Sequence, residues 1–136
     1  LKALKRFDYH DMIQWVIEAF SKHEELLRNY QERFLYFLVD EYQDTNGAQA
    51  KVLELLTNYE VSPNVFAVGD DDQCVYTFQG AHKSRMEEYV VRYNIENKLK
   101  IIVLDQNYRS TQAILDAAQA LINKNSTRLV NSAVLS

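Results

Sequence analysis

The run "FLYFLVDE", residues 34–41, limits what this chain can fold into more than any other: six apolar residues without alternation end on two adjacent carboxylates, Asp40 and Glu41. A strand wet on one face alternates apolar and polar side chains, whereas a strand covered on both faces does not. Residues 34–39 therefore read as a strand of a sheet buried on both sides.

The rest of the chain repeats that rhythm. Pro63 and Asn64 break the pattern before a second predicted strand, 65–68, which ends at Gly69, and a third is predicted over 100–104. Helical spacing marks the intervals. Met12, Ile13, Val16, Ile17 and Phe20 follow a cap at Asp8 or Asp11, and Leu26, Leu27 and Tyr30 mark a second helix. Thr45 or Asn46 caps a helix that turns Val52, Leu53, Leu55 and Leu56 inward. Met86, Tyr89, Val90 and Tyr93 mark another, and Ser110 caps a last one with Ile114, Ala117, Ala118, Leu121 and Ile122 inward. Strands separated by helices predict an α/β fold, a parallel sheet flanked by helices, with ligands beyond the carboxyl ends of the strands. Those ends read "DEYQDTN", "GDDDQCVYTFQGA" and "DQNYRS".

Composition narrows the function classes. Three Gly and one Pro in 136 residues are too few for a turn-rich sandwich or barrel. A net charge of -4 is no global signature of a nucleic-acid-binding domain, which is usually basic. The lone Cys74 allows no internal disulfide, and no run is long and apolar enough to span a membrane, so a reducing, cytoplasmic setting is expected. The chain starts at Leu1 without a methionine. Lys98, Lys100, Arg109, Lys124 and Arg128 outnumber Asp105 and Asp116 after an acidic first part. We expect part of a longer protein, with a domain boundary near residue 98.

An Asp at the end of a buried strand can hold Mg²⁺, which wants oxygen ligands and takes few from the protein when phosphates supply others. The adjacent Glu41 is then placed to orient and deprotonate water. An apolar run plus Asp-Glu is the Walker B arrangement; standing alone, the same pair equally serves to cap the next helix.

"DEYQDTN", then "VGDDDQCVYTFQGA", then "QNYRS" resemble, in order and spacing, motifs II, III and IV of superfamily 1 DNA helicases of the UvrD, Rep and PcrA type. "FDYHDMI" is similar to the family's segment just upstream of motif II, with His10 a departure. The resemblance implies a partial RecA-like (P-loop NTPase) fold: residues 1–98 as the later part of the first RecA-like domain and 99–136 as the start of the second. It implies that Asp40 binds Mg²⁺, Glu41 activates water, and Gln73 senses the γ-phosphate of ATP. Gln43 and Asp44 receive only a site-organising role, and Asp71 and Asp72 are read as a solvated turn. Tyr108 is implied to stack on adenine and Arg109 to act as an arginine finger, its planar fork of donors suited to a γ-phosphate. Tyr76, Phe78 and Gln79 fall in the segment that the family uses on single-stranded DNA, where stacking contributes roughly 1 to 3 kcal/mol per base. Gln79 stands where many relatives carry arginine, and Cys74, where serine is usual, reads as a small filler.

The implied function is ATP-dependent 3′-to-5′ translocation on single-stranded DNA and unwinding of duplex DNA, as in DNA repair. The partners are DNA and the remainder of the helicase. The Gly-Lys-Ser/Thr loop that grips phosphates is absent from these 136 residues, so the isolated chain is expected to be inactive. Other readings are a helicase-nuclease subunit of the AddA or RecB type, a metal-dependent phosphohydrolase or nuclease in which Asp40, Glu41 and some of residues 70–72 converge on metal, and a non-catalytic interaction domain. His10, His23 and His82 lack partners at metal-ligand spacing, so no zinc site is expected.

Overall fold

Two of the described helices start in reciprocal side-chain caps. The computed structural model describes residues 6–74, 84–94 and 98–124. Helix α1 (Tyr9–Lys22) starts in a reciprocal box: Asp8 Oδ1 accepts from the Asp11 amide at 3.0 Å, and Asp11 Oδ2 accepts from the Asp8 amide at 3.1 Å. Both aspartates proposed as caps thus share the task. Helix α2 (Glu24–Arg33) ends at Phe34, whose amide bonds to the Tyr30 carbonyl. Phe34 and Leu35 are therefore not in the sheet, and strand β1 spans Tyr36–Val39.

After β1 comes a 3₁₀ turn, Tyr42–Asp44, and then α3 (Gly47–Thr57). Asn46 is the cap of α3. Its Oδ1 accepts from the amides of Ala48 and Gln49, while the Gln49 side chain bonds back to the Asn46 amide. Strand β2 (Asn64–Ala67) lies one residue earlier than predicted, followed by a second 3₁₀ turn (Asp71–Gln73), α4 (Ser84–Tyr93) and α5 (Gln112–Ile122).

The two strands pair in parallel, Phe37 opposite Val65 and Val39 opposite Ala67. Helices α1, α2 and α3 pack on one another, and Gln31, buried among them, donates to the Leu55 carbonyl at 2.8 Å. An aromatic cluster fastens α4. Tyr89 meets Tyr42 edge-on at 4.9 Å between ring centroids, lies 4.6 Å from Tyr93, and donates from its hydroxyl to the Val65 carbonyl. Burial pushes the Tyr89 hydroxyl up to about 12, with the neighbouring Tyr93 and Tyr42 adding to the shift; burial raises Tyr42 and Tyr93 in the same direction.

Three expectations need correction. Strand β1 is covered on one face, since Phe37 and Val39 are half-buried while Tyr36 and Leu38 are 71% and 78% exposed. The unalternating sequence suits cover on both faces, and among the described residues only one face has it. Residues 100–104 form no strand, and Ile101 to Leu104 stand exposed. A β-prone run becomes a strand only beside a partner that completes its ladder, and β1 and β2 pair only with each other among the described residues. Helix α5 starts after Thr111 rather than Ser110 and buries Leu115, with Gln119 and Ile122 half-buried beside it. The inward stripe is 115, 119, 122, leaving Ile114, Ala117, Ala118 and Leu121 outside.

Candidate active site

The site is built where β1 and β2 end side by side. The ladder continues past the strands: the Val68 amide donates to the Val39 carbonyl and the Tyr42 amide to the Val68 carbonyl, each at 2.9 Å. These bonds hold the turn that carries Asp40 and Glu41 against the loop that starts at Gly69. Buried Tyr42, packed on Tyr89, anchors the turn from below.

Asp40 follows β1 directly and is exposed; its Oδ1 accepts from the Glu41 amide at 3.0 Å. Glu41 has φ 49° and ψ 46°, the one left-handed non-glycine residue among those described. Such a backbone costs of order 1–3 kcal/mol and persists only where its surroundings hold it.

The Glu41 backbone bonds to Asp40 Oδ1 and the Asp44 amide, and its side chain is held by Gln43. Gln43 is 2% exposed, and both ends of its amide are engaged. Nε2 donates to Glu41 Oε2 at 2.7 Å, and Oε1 accepts from the Asp70 amide at 3.0 Å. Its backbone carbonyl accepts from the Cys74 thiol. Asp70 then caps the following turn, with Oδ1 accepting from the Asp72 amide and Oδ2 from Gln73 Nε2 at 2.7 Å. Glycine at 69 permits this approach: a β-carbon there would lie 2.7 Å from Gln43 Oε1 and 3.3 Å from the Tyr42 amide nitrogen.

Asp40, Glu41 and Gln73 thus share one end of the sheet, joined through Gln43 and Asp70. Tyr108 and Arg109 are not joined to them. Tyr108 is 91% exposed, its hydroxyl bonds to Gln106, and the Arg109 amide bonds to Asn107 Oδ1, which also accepts from Ser110. No hydrogen bond or ion pair links Arg109 to Asp40, Glu41 or Gln73 among the described residues. Tyr76, Phe78 and Gln79 lie outside the described residues. Half-buried Cys74 packs with its thiol on Gln43, in keeping with a filler.

The extent of Gln43's role was missed from sequence. The available signal was a neutral amide amid carboxylates, one group able to donate to an anion and accept from a backbone amide at once.

A cleft of about 640 Å³ lies between α3 and α4, lined by residues including Lys51, Glu54, Arg85 and Arg92, and neither Asp40 nor Glu41 borders it. Burial pushes the Glu54 carboxyl up, but the Lys51 hydrogen bond and the Arg92 charge outweigh it, and the net shift is downward.

Comparison with known proteins gives the family. The UvrD/REP helicase N-terminal domain matches residues 1–94. The ATP-dependent DNA helicase PcrA of Leuconostoc citreum is 41% identical over 129 residues, 95% of this chain and 17% of its own length. The putative ATP-dependent DNA helicase YjcD of Bacillus subtilis is 39% identical over 93% of the chain and 16% of its own length. DNA helicase II of Haemophilus influenzae is 40% identical over 90% and 16%. This chain thus spans less than a fifth of the length of these curated relatives. Its fold is RecA-like α/β, and with the N-terminal domain matched over residues 1–94, the chain belongs to the UvrD/REP helicase family.

Proposed function

We propose that this chain is a segment of an ATP-dependent 3′-to-5′ DNA helicase and carries the water-activating half of its nucleotide site. The observation that supports this most is the meeting of Asp40, Glu41 and Gln73 at adjacent strand ends. Residues 1–98 belong to the first RecA-like domain and 99–136 to the second.

Asp40 suits a hard cation. One carboxylate oxygen of this exposed residue is occupied by the Glu41 amide, while the other has no hydrogen-bond partner among the described residues. Bound Mg²⁺ and ATP would supply phosphoryl-transfer chemistry, with the metal neutralising charge on the phosphates. Glu41, held by Gln43, orients water and takes its proton. Gln73 presents a neutral amide to the γ-phosphate, adding no charge. Arg109 approaches from the second domain as the finger, Tyr108 stacks on adenine, and Tyr76, Phe78 and Gln79 contact single-stranded DNA.

The phosphohydrolase reading needs several acidic ligands in one place. Among the described residues no three His, Cys, Asp or Glu side chains are grouped to hold a metal. Among the same residues no helix is long and apolar enough to cross a membrane.

The purified 136-residue chain should show no appreciable ATP hydrolysis, because it lacks the Gly-Lys-Ser/Thr loop. In the full-length protein, Glu41→Gln should lower DNA-stimulated ATP turnover by about 10²-fold or more while ATP still binds. Robust magnesium-dependent turnover by the isolated chain, lost on Glu41→Gln, would overturn the claim of inactivity. Undiminished turnover in the full-length Glu41→Gln variant would overturn the site assignment.

A further inference from the structure

We infer that Gln43 is a positioning residue that couples the water-activating carboxylate to the phosphate-sensing loop. The inference rests on the reading that Glu41 activates water and Gln73 senses phosphate. Four residues form one linked series of hydrogen bonds, which passes through the Asp70 main chain: Gln73 Nε2 donates to Asp70 Oδ2, the Asp70 backbone amide donates to Gln43 Oε1, and Gln43 Nε2 donates to Glu41 Oε2.

The chemistry admits one orientation of the Gln43 amide. Turned over, its oxygen would face the Glu41 carboxylate and its NH₂ would face the Asp70 N–H, acceptor against acceptor and donor against donor. A carboxylate at 43 would likewise set two anions against each other. Gln43 has no freedom to compensate, because it is almost fully buried and Gly69 lies against its oxygen. Glu41 sits on a left-handed backbone, and the bond from Gln43 is the side-chain hydrogen bond to its carboxylate. A change at Gln73 on engaging phosphate therefore reaches Glu41 through Asp70 and Gln43, without any rearrangement of the strands. A double-mutant cycle measures this coupling.

The test uses the full-length protein that contains this chain, with saturating single-stranded DNA and ATP turnover as the readout. Gln43→Met keeps the side-chain volume and removes both hydrogen bonds. It should lower kcat by about 10- to 100-fold, the scale expected when a reacting group is misplaced by a fraction of an ångström to an ångström. KM for ATP should stay within about twofold, since a loss confined to the transition state leaves ground-state binding alone. Combining Gln43→Met with Gln73→Ala should cost no more than the worse single variant. Gly69→Ala, which leaves Gln43 chemically intact but crowds its oxygen, should reproduce the kcat loss and serves as the decisive variant if Gln43→Met does not fold. Unchanged kcat in the folded variants, a KM that rises in step with the kcat loss, or fully multiplicative losses in the double variant would overturn the proposal. Glu41→Gln run in parallel separates the two failures: if it leaves turnover intact, the reading of Glu41 itself has failed and this inference falls with it.

Discussion

The Tyr89 hydroxyl donates a 3.1 Å hydrogen bond to the Val65 carbonyl oxygen, so helix α4 is fastened to strand β2 by a side chain that also packs on Tyr42 beneath the carboxylate turn. Removing only the hydroxyl tests that fastening. Tyr89→Phe should destabilise the protein by about 1 kcal/mol, since it leaves a part-buried carbonyl without its donor and keeps the ring contacts. Urea unfolding monitored by circular dichroism checks the value. Tyr89→Ala should cost about 3 to 5 kcal/mol because the aromatic cluster loses its centre.

The same cluster predicts loss of stability in alkali. Tyr89 ionises at about 12 in the folded protein, above the ordinary value of 10.0, and Tyr42 and Tyr93 are raised too. Between those values the folded state holds a proton that the unfolded state has lost. The stabilisation is therefore complete below pH 10 and declines as pH climbs toward about 12. Spectrophotometric titration should show a late tyrosinate phase that is lost on unfolding in denaturant. A single ordinary phase for every tyrosine would contradict the buried cluster.

The backbone strain at Glu41 should be measurable apart from its side chain. Its left-handed backbone is strained for any residue with a β-carbon, and glycine relieves the strain at a smaller cost in chain entropy. Glu41→Gly and Glu41→Ala both deprive the buried Gln43 amide of its acceptor, so the strain is read from their difference: Glu41→Gly should be up to about 1 kcal/mol more stable than Glu41→Ala, with turnover by the full-length protein abolished. Glu41→Ala should lose activity without that gain, and thermal melts of the two variants side by side read the contrast.

Helix α3 depends on its cap. Asn46→Ala removes the acceptor for two helix amides and should cost about 1 kcal/mol, whereas Asn46→Ser should recover most of it. Equal melting temperatures for wild type and Asn46→Ala would contradict the box.

What could be read from sequence was mostly what neighbours in sequence decide. Asp8, Asp11 and Asn46 announce helix starts because their partners lie two or three residues away. The position of Asp40, Glu41 and Gln73 at strand ends followed from the same local pattern plus a rule of parallel sheets. The remainder depended on encounters that no local pattern records. Phe34 was apolar enough for a strand, but its amide went to α2. The face buried by α5 and the fate of residues 100–104 turned on which partners were available. Gln43 looked like an accessory to its acidic neighbours until Gly69, distant in sequence, was found against its side chain.

The bonds from Val68 to Val39 and from Tyr42 to Val68 have a further consequence. They make the carboxylate turn a property of two strands at once, so a synthetic peptide copying "DEYQDTN" would carry every acidic group and none of the geometry. The geometry at Glu41 is accordingly all-or-none with the folding of the sheet: cleavage in the 58–63 connection that let β2 separate from β1 would dismantle the turn without touching any residue in it.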